Sequence, residues 1–256
     1  MNRNIVVAVL VGLLLGLWTS AVTAQEASQG QLLRILTVKV DPSRISEYEA
    51  AVEDLFAELT KKEFGFPISA SVGADLVYGF VTPMENFAAL DKMQEELSQV
   101  LEANPQIMER LSEASESRTY WMVQERPDLT YVPENPRLQP DEIGLIHLDR
   151  YYLRPGTEAE AEAISKEWVN LYRRKYVSDG FRVNVAVTGA ELPIFTVATP
   201  AKDALDYQTQ AQKIEQLLGE EAQALMERSL SIIRRLEPLD ITLRPDLSYQ
   251  PTSAGQ

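Results

Sequence analysis

The only histidine of the chain stands two residues before an aspartate and four residues before a tyrosine. His147, Asp149 and Tyr151 have the spacing that places side chains on one face of a β-strand. A neutral imidazole beside a carboxylate can act as a general base, because the carboxylate stabilises the protonated form that results. The segment therefore predicts a catalytic group made of these three residues. The alternative is that His147 is a hydrogen-bonded structural residue near the end of a strand.

Arg182 and Asn184 form a second candidate group, in a predicted strand where they alternate with valines. If the valines face the helices, both polar side chains point into the same cavity as His147. An arginine there can hold an acidic or enolate-like ligand by paired donors. We predict that both residues bind a ligand, and pairing of Arg182 with Asp149 is the alternative.

Trp168 and Tyr172 are four residues apart on one predicted helix. Two aromatic rings could form a platform on which a planar ligand stacks. Their spacing on an apolar helical stripe favours packing in the core instead.

The elements that must position these residues follow the same order in both halves of the chain. Alternating apolar residues bounded by turn signals predict strands, and apolar residues at spacings of three and four predict the helices between them. The predicted strands span residues 33–40, 68–72, 76–82 and 119–125, and then 147–153, 181–187, 194–198 and 239–243. Two helices are expected in each half, and the last is a long one from Leu205 to Ile232.

One hexapeptide occurs twice, because Arg126-Pro-Asp-Leu-Thr-Tyr131 returns as Arg244-Pro-Asp-Leu-Ser-Tyr249. A repeat at the ends of two similar halves indicates a duplicated domain. The stretch between the halves is rich in proline and has no apolar period, which predicts an extended linker. The predicted boundaries are 31–132 for the first unit, 133–142 for the linker and 143–251 for the second unit.

The order strand, helix, strand, strand, helix, strand is that of the ferredoxin-like motif. This motif forms a four-stranded antiparallel sheet with both helices on one face, and its other face is bare. Burial of the bare face against a second copy is the simplest way to hide it. The predicted fold is therefore α+β, with two tandem ferredoxin-like β-α-β-β-α-β units packed as an intrachain α+β barrel.

The start of the second unit, Ile146-His-Leu-Asp-Arg-Tyr-Tyr-Leu-Arg-Pro-Gly156, resembles the first strand and turn of the dimeric α+β barrel superfamily. The likeness is to the NIPSNAP-like branch and to antibiotic-biosynthesis-monooxygenase-like proteins. Tyr151 and Arg154-Pro155-Gly156 match the NIPSNAP-like pattern, whereas His147 and Asp149 stand where that family has Glu and Arg. The resemblance implies a fold more than an activity, because the superfamily includes cofactor-free monooxygenases, haem-degrading enzymes, isomerases and proteins with no known reaction.

Tandem units of this fold bind haem in chlorite dismutase-like proteins, which use a histidine from a helix. The one histidine here is predicted in a strand, and the chain has no cysteine. Aspartates and glutamates do not cluster at the spacing of a zinc or calcium site. We therefore expect no cofactor and no bound metal.

Residues 1–24 have the pattern of a secretory signal peptide. A short basic start precedes an apolar run from Ile5 to Trp18, and small residues lead up to Ala24. Cleavage after Ala24 would give a periplasmic or secreted protein with no stable membrane insertion. The alternative is an uncleaved membrane anchor. The lack of cysteine excludes disulfides and fits a bacterial periplasm.

The formal net charge of the chain is −14. The acidic residues are dispersed over predicted helices, which is typical of a solvated surface. We do not expect nucleic acid or anionic lipid as partners. Pairing of two chains into a homo-oligomer stays open.

Two functions follow from these observations. The first is an exported protein that binds a small organic ligand or a protein partner. The alternative is a cofactor-free monooxygenase- or isomerase-type enzyme acting in the barrel cavity of the second unit. An enzyme needs His147, Asp149 and Arg182 to converge on one water-accessible space, whereas an apolar interior or sealed polar groups would favour binding.

Overall fold

The structure, a computed structural model, describes residues 30–189 and 191–251. The predicted signal peptide, residues 1–24, lies outside these ranges. Inside them, every helix is too short or too polar to cross a membrane.

The described residues form eight strands and six α-helices, in the order that the apolar periodicity predicts. The strands are β1 Leu32–Val40, β2 Ser69–Gly73, β3 Val77–Met84, β4 Ser115–Glu125, β5 Leu145–Leu153, β6 Arg182–Thr188, β7 Ile194–Ala201 and β8 Ile233–Leu243. The helices are α1 Ile45–Lys61, α2 Phe87–Ala103, α3 Pro105–Glu113, α4 Glu158–Arg174, α5 Ala204–Leu218 and α6 Glu220–Ile232.

Local signals explain where several helices begin and end. The side chain of Asn86 caps α2 by accepting a hydrogen bond from the backbone N–H of Ala89 at 3.0 Å. Asp203 caps α5 in the same way, accepting from the N–H of Asp206 at 2.8 Å. The long helix expected up to Ile232 is broken at Gly219, whose φ of 62° and ψ of −143° lie outside the helical region.

Hydrogen bonding joins the strands in the order β1-β3-β2-β8-β5-β7-β6-β4, and this order closes into a barrel. The prediction of two tandem ferredoxin-like units packed as an intrachain α+β barrel was therefore wrong, because one closed sheet of eight strands replaces two four-stranded sheets. The periodicity of a strand reveals its two faces but not its neighbours. Closure leaves no edge strand unpaired, and this favours the continuous sheet.

Contacts divide the described chain into two compact units. The first-half unit consists of residues 31–122 and 243–251, and the second-half unit consists of Val123–Thr242. The two copies of the repeated hexapeptide lie in different units. The hydroxyl of Tyr131 donates to the carbonyl of Val177 at 2.8 Å in the second-half unit. The hydroxyl of Tyr249 donates to the carbonyl of Phe64 at 2.7 Å in the first-half unit.

The two units are packed differently. In the first-half unit, two clusters of buried side chains fill the core, with large residues such as Tyr78, Phe64 and Met93 almost fully buried. In the second-half unit, one cluster of buried side chains lies between strands β5 to β7 and helices α4 to α6. The candidate site lies within this cluster of the second-half unit.

Candidate functional site

A cavity of about 630 Å³ lies in the second-half unit, between strands β5 to β7 and helices α4 to α6. Small-molecule sites typically have volumes of about 300–1,000 Å³. The walls are mostly aromatic and aliphatic, and include Trp168, Tyr172, Phe181, Phe195, Val197 and Ile214. Trp168 and Tyr172 therefore line open space as well as pack against the core.

Strand register determines which side chains face this cavity. Asp149 on β5 lies opposite Val197 on β7, and Val197 lies opposite Val183 on β6. Directly opposed residues of an antiparallel pair point to the same side of the sheet, and all three line the cavity. Tyr151, two residues after Asp149, shares this face. The predicted catalytic face is thus turned toward the helices and not into the barrel.

His147 lies beside this cavity between two carboxylates. Its Nδ1 is 2.6 Å from Oδ1 of Asp240 on β8, and its Nε2 is 3.4 Å from Oδ1 of Asp149. The imidazole stacks on the ring of Tyr207 from α5, with ring centroids 3.9 Å apart. Burial disfavours the charged imidazole, but the hydrogen bonds and charges of Asp149 and Asp240 outweigh burial and raise the pKa of His147.

This geometry changes the role expected for His147. Because each ring nitrogen faces a carboxylate, the imidazolium form is favoured and neither nitrogen is open to a ligand. The carboxylate of Asp149, in contrast, lies on the cavity wall. Asp149 is therefore the group of this cluster that can accept a hydrogen bond or a proton from a bound molecule, and His147 positions it.

Three tyrosine hydroxyls of the cavity wall stay protonated at neutral pH. Burial, together with the negative charge of Asp149, raises the pKa of Tyr151. The same two causes raise the pKa of Tyr207, to which Asp240 also contributes. Burial raises the pKa of Tyr172 to about 12. Tyr172 and Tyr207 supply hydroxyl groups that can donate to a ligand, whereas the hydroxyl of Tyr151 is hydrogen-bonded to Asp149.

Arg182 and Asn184 do not meet His147. They lie opposite Ala198 and Thr196 of β7, and so occupy the sheet face turned away from Asp149 and the cavity. The expected convergence of the two groups on one space is therefore wrong. Arg182 forms an ion pair with Glu125 at 3.5 Å instead of pairing with Asp149, and burial lowers its pKa while Glu125 opposes this effect. A ligand-binding role for Arg182 and Asn184 stays a prediction.

A third polar group was missed because it begins in the proline-rich linker. Arg137 donates from Nε to Oδ1 of Asp179 at 2.7 Å, and from both terminal nitrogens to Asp206 at 3.0 Å. Its backbone N–H donates to the carbonyl of Ser178 at 3.0 Å. Burial disfavours the charged guanidinium, yet the two carboxylates outweigh burial and raise the pKa of Arg137. Arg137 and Asp179 both line the cavity.

The comparisons with known proteins concern the fold. No protein-family model matches the chain, and no curated protein matches it in sequence. Among solved structures, an anthrone oxidase-like protein is similar, with 11% sequence identity, coverage of 90% of this chain and 98% of the other, and a TM-score of 0.61. A proposed monooxygenase from Lactobacillus acidophilus NCFM has 8% identity, coverage of 87% and 97%, and a TM-score of 0.55.

Chlorite dismutase from Candidatus Nitrospira defluvii, in complex with imidazole, is also similar, with 13% identity, coverage of 86% of this chain and 93% of the other, and a TM-score of 0.52. At such low identities the likeness shows the fold alone. The fold is similar to that of these solved structures, and membership of the dimeric α+β barrel superfamily stays a prediction. The NIPSNAP-like likeness and the tandem duplication stay predictions.

The donors of the cavity do not fit a haem held by histidine. His147 is the only histidine of the chain, and it lies on a strand with both ring nitrogens at carboxylates. His147 could ligate the iron only if one of its ring nitrogens left its carboxylate partner and carried no proton. The described residues also contain no cluster of three acidic, His or Cys side chains that could hold a metal ion.

Proposed function

We propose that the cavity of the second-half unit binds a flat, mostly apolar aromatic molecule with one polar edge. The observation that carries this proposal is the cavity itself, an aromatic-walled space of about 630 Å³ whose lining also includes hydrogen-bonding side chains. Aromatic side chains pack favourably edge-to-face and offset-stacked against other rings. Trp168, Tyr172 and Phe181 already meet in this way at the wall, with two edge-to-face pairs.

The polar edge of the ligand would face Asp149 and Tyr207. Asp149 accepts hydrogen bonds and the protonated hydroxyl of Tyr207 donates them. A ring bearing an N–H or O–H group therefore matches these two side chains. Ionic contacts hold Asp149 and His147 in place, and the stack on Tyr207 fixes the plane of the imidazole. A prearranged site of this kind binds with little cost in side-chain ordering.

A cofactor-free monooxygenase is the second candidate, favoured by the carboxylate of Asp149 on the wall and by the monooxygenase-like structural neighbours. Asp149 would take a proton from a ring substrate such as anthrone, and dioxygen would accept the electrons, so that anthrone and dioxygen give anthraquinone and water. We rank this candidate second because the likeness to the monooxygenase-like structures concerns the fold alone.

Binding is tested with acridine, a neutral three-ring fluorophore, titrated against the purified protein. Ala211 lines the cavity from α5, and Ala211→Phe fills part of the space. We expect this variant to weaken binding about tenfold or more, since a bulky ring cannot share the site. The matched control is Ala88→Phe, the same change at an exposed position of α2 in the first-half unit. Equal affinity of all three proteins, or no binding, would refute the proposal.

The enzyme candidate has its own test. The absorbance of anthraquinone is followed as anthrone oxidises in air, with wild-type protein, with Asp149→Asn and without protein. Acceleration by the wild type that Asp149→Asn removes would support proton abstraction by Asp149. Equal rates in all three samples would eliminate this candidate and leave the binding proposal intact.

Export belongs to the same proposal, supported by the leader pattern of residues 1–24. We expect the mature chain to begin at Gln25. Intact-mass measurement on protein from the exported fraction checks this expectation, and a mass that includes Met1–Ala24 would favour the membrane anchor.

A further inference from the structure

Two polar groups at the cavity each consist of one basic side chain between two carboxylates. In the first group, the imidazole of His147 lies between Asp149 and Asp240. The net charge of this group is −1 when the imidazole is protonated and −2 when it is neutral, so its sign is negative in either state. Asp149, which lines the cavity, is the member of this group nearest to a ligand.

The second group repeats the arrangement with different residues. The guanidinium of Arg137 is shared by Asp179 and Asp206, which again leaves a net charge of −1. Asp179 is 9% exposed, so water screens its charge poorly. The donors of Arg137 are already directed at these carboxylates, and an incoming anion would have to compete with both of them.

The remaining ionisable groups of the wall do not reverse this balance. Arg137 is the only lysine or arginine among the described residues that line the cavity. Glu215 and Glu227 also line it, at exposed positions of α5 and α6. Exposed carboxylates contribute less than buried ones because water and salt screen them, but their sign is the same.

We infer that the cavity selects its ligand by charge, taking a protonated aromatic amine most tightly, a neutral ring less tightly and an aromatic carboxylate or sulfonate least. This inference rests on the proposed function and adds the chemical class of the ligand. An anion would lose its hydration among apolar walls and find no uncommitted cation. An ammonium or ring N–H⁺ group would gain from Asp149 and from the faces of Trp168 and Tyr172.

The test uses three ligands that share one ring system. Near neutral pH, 9-aminoacridine is a cation, acridine is neutral and acridine-9-carboxylate is an anion. We expect affinity to fall in that order, with about tenfold or more between cation and anion. Asp149→Asn removes one negative charge from the wall. It should reduce the ratio of the affinities for the cation and the anion about tenfold, which is the effect of one partly solvated charge.

The matched control for charge is Asp91→Asn, which removes the same charge from an exposed position of α2 in the first-half unit. This variant should leave the order of the three affinities and the ratio between cation and anion unchanged. If the carboxylate binds as tightly as acridine, and Ala211→Phe weakens both, the charge inference is overturned while the cavity proposal stands. If no acridine binds, or Ala211→Phe has no effect on any of them, both fail.

Discussion

The imidazole of His147 on β5 lies nearly parallel to the ring of Tyr207 on α5, at an interplanar angle of 18°. This stack links the sheet to the helix that covers it, at the edge of the cavity. A charged imidazolium over an aromatic face gains from the ring quadrupole, in addition to packing. The contact therefore couples the ionisation of His147 to the position of α5.

Replacement of Tyr207 tests the value of this stack. Tyr207→Leu should lower the free energy of unfolding by about 1 kcal/mol, because the ring contact is lost while apolar volume is largely kept. Tyr207→Phe keeps the ring and should be close to wild type. Urea unfolding measures both, and equal losses in the two variants would show that the ring contributes nothing beyond its hydroxyl.

The raised pKa of His147 predicts a pH dependence of stability. An unfolded histidine has a pKa of about 6.5, and the folded value lies above it. The folded state thus holds the proton more tightly, so the stabilisation is complete below about pH 6.5 and is lost as the pH rises through the folded pKa. Urea unfolding across this window should show a fall in stability for the wild type.

His147→Gln provides the control for that fall, because the chain has no other histidine. The variant should lack the pH dependence above the unfolded pKa. The imidazole resonances of the wild type give the folded pKa directly by NMR, without overlap from a second histidine. A folded pKa at or below about 6.5 would contradict the arrangement of two carboxylates around the ring.

Arg137 should stabilise the polar group that it forms with Asp179 and Asp206. Arg137→Ala leaves the buried Asp179 without its closest cation, and we expect a loss of about 1–3 kcal/mol in the free energy of unfolding. The double variant Arg137→Ala with Asp179→Asn should recover part of this loss, since the uncompensated charge is gone. Additive effects in the double-mutant cycle would show that the two side chains do not interact.

Gly219 is required between α5 and α6. Its backbone angles lie in a region that only glycine adopts without strain, so Gly219→Ala should lower the free energy of unfolding by about 1–3 kcal/mol. Gly65→Ala is the matched control, because a Cβ at Gly65 would meet nothing within 4 Å. Equal stability of the two variants would contradict the observed break in the helix.

The sequence predicted the local elements well because they depend on nearby residues. Alternation placed His147, Asp149 and Tyr151 on one face of one strand, as observed. Gly219 was not recognised as a break, because the apolar stripe continues on both sides of a single glycine. The single closed sheet of eight strands was not predicted, since strand order depends on pairings between distant segments.

The partners of His147 illustrate the same limit for the site. Asp240 stands 93 residues away, and its contact depends on the register of β5 with β8. Tyr207 reaches the ring from a helix whose position no local pattern gives. Arg182 and Asp149 were expected on the same side of the sheet, but their relative faces are fixed through β7, which lies between their strands, and Asp149 faces the helices. Arg137 was missed because proline-rich composition suggested only a linker.

The crystal structure of the protein with acridine tests the central claim most directly. We expect density for the three rings between β5 to β7 and α4 to α6, with the ring nitrogen accepting from the hydroxyl of Tyr207 and the ring faces against Trp168 or Tyr172. Density for acridine elsewhere, or side chains filling this space in the crystal, would contradict it.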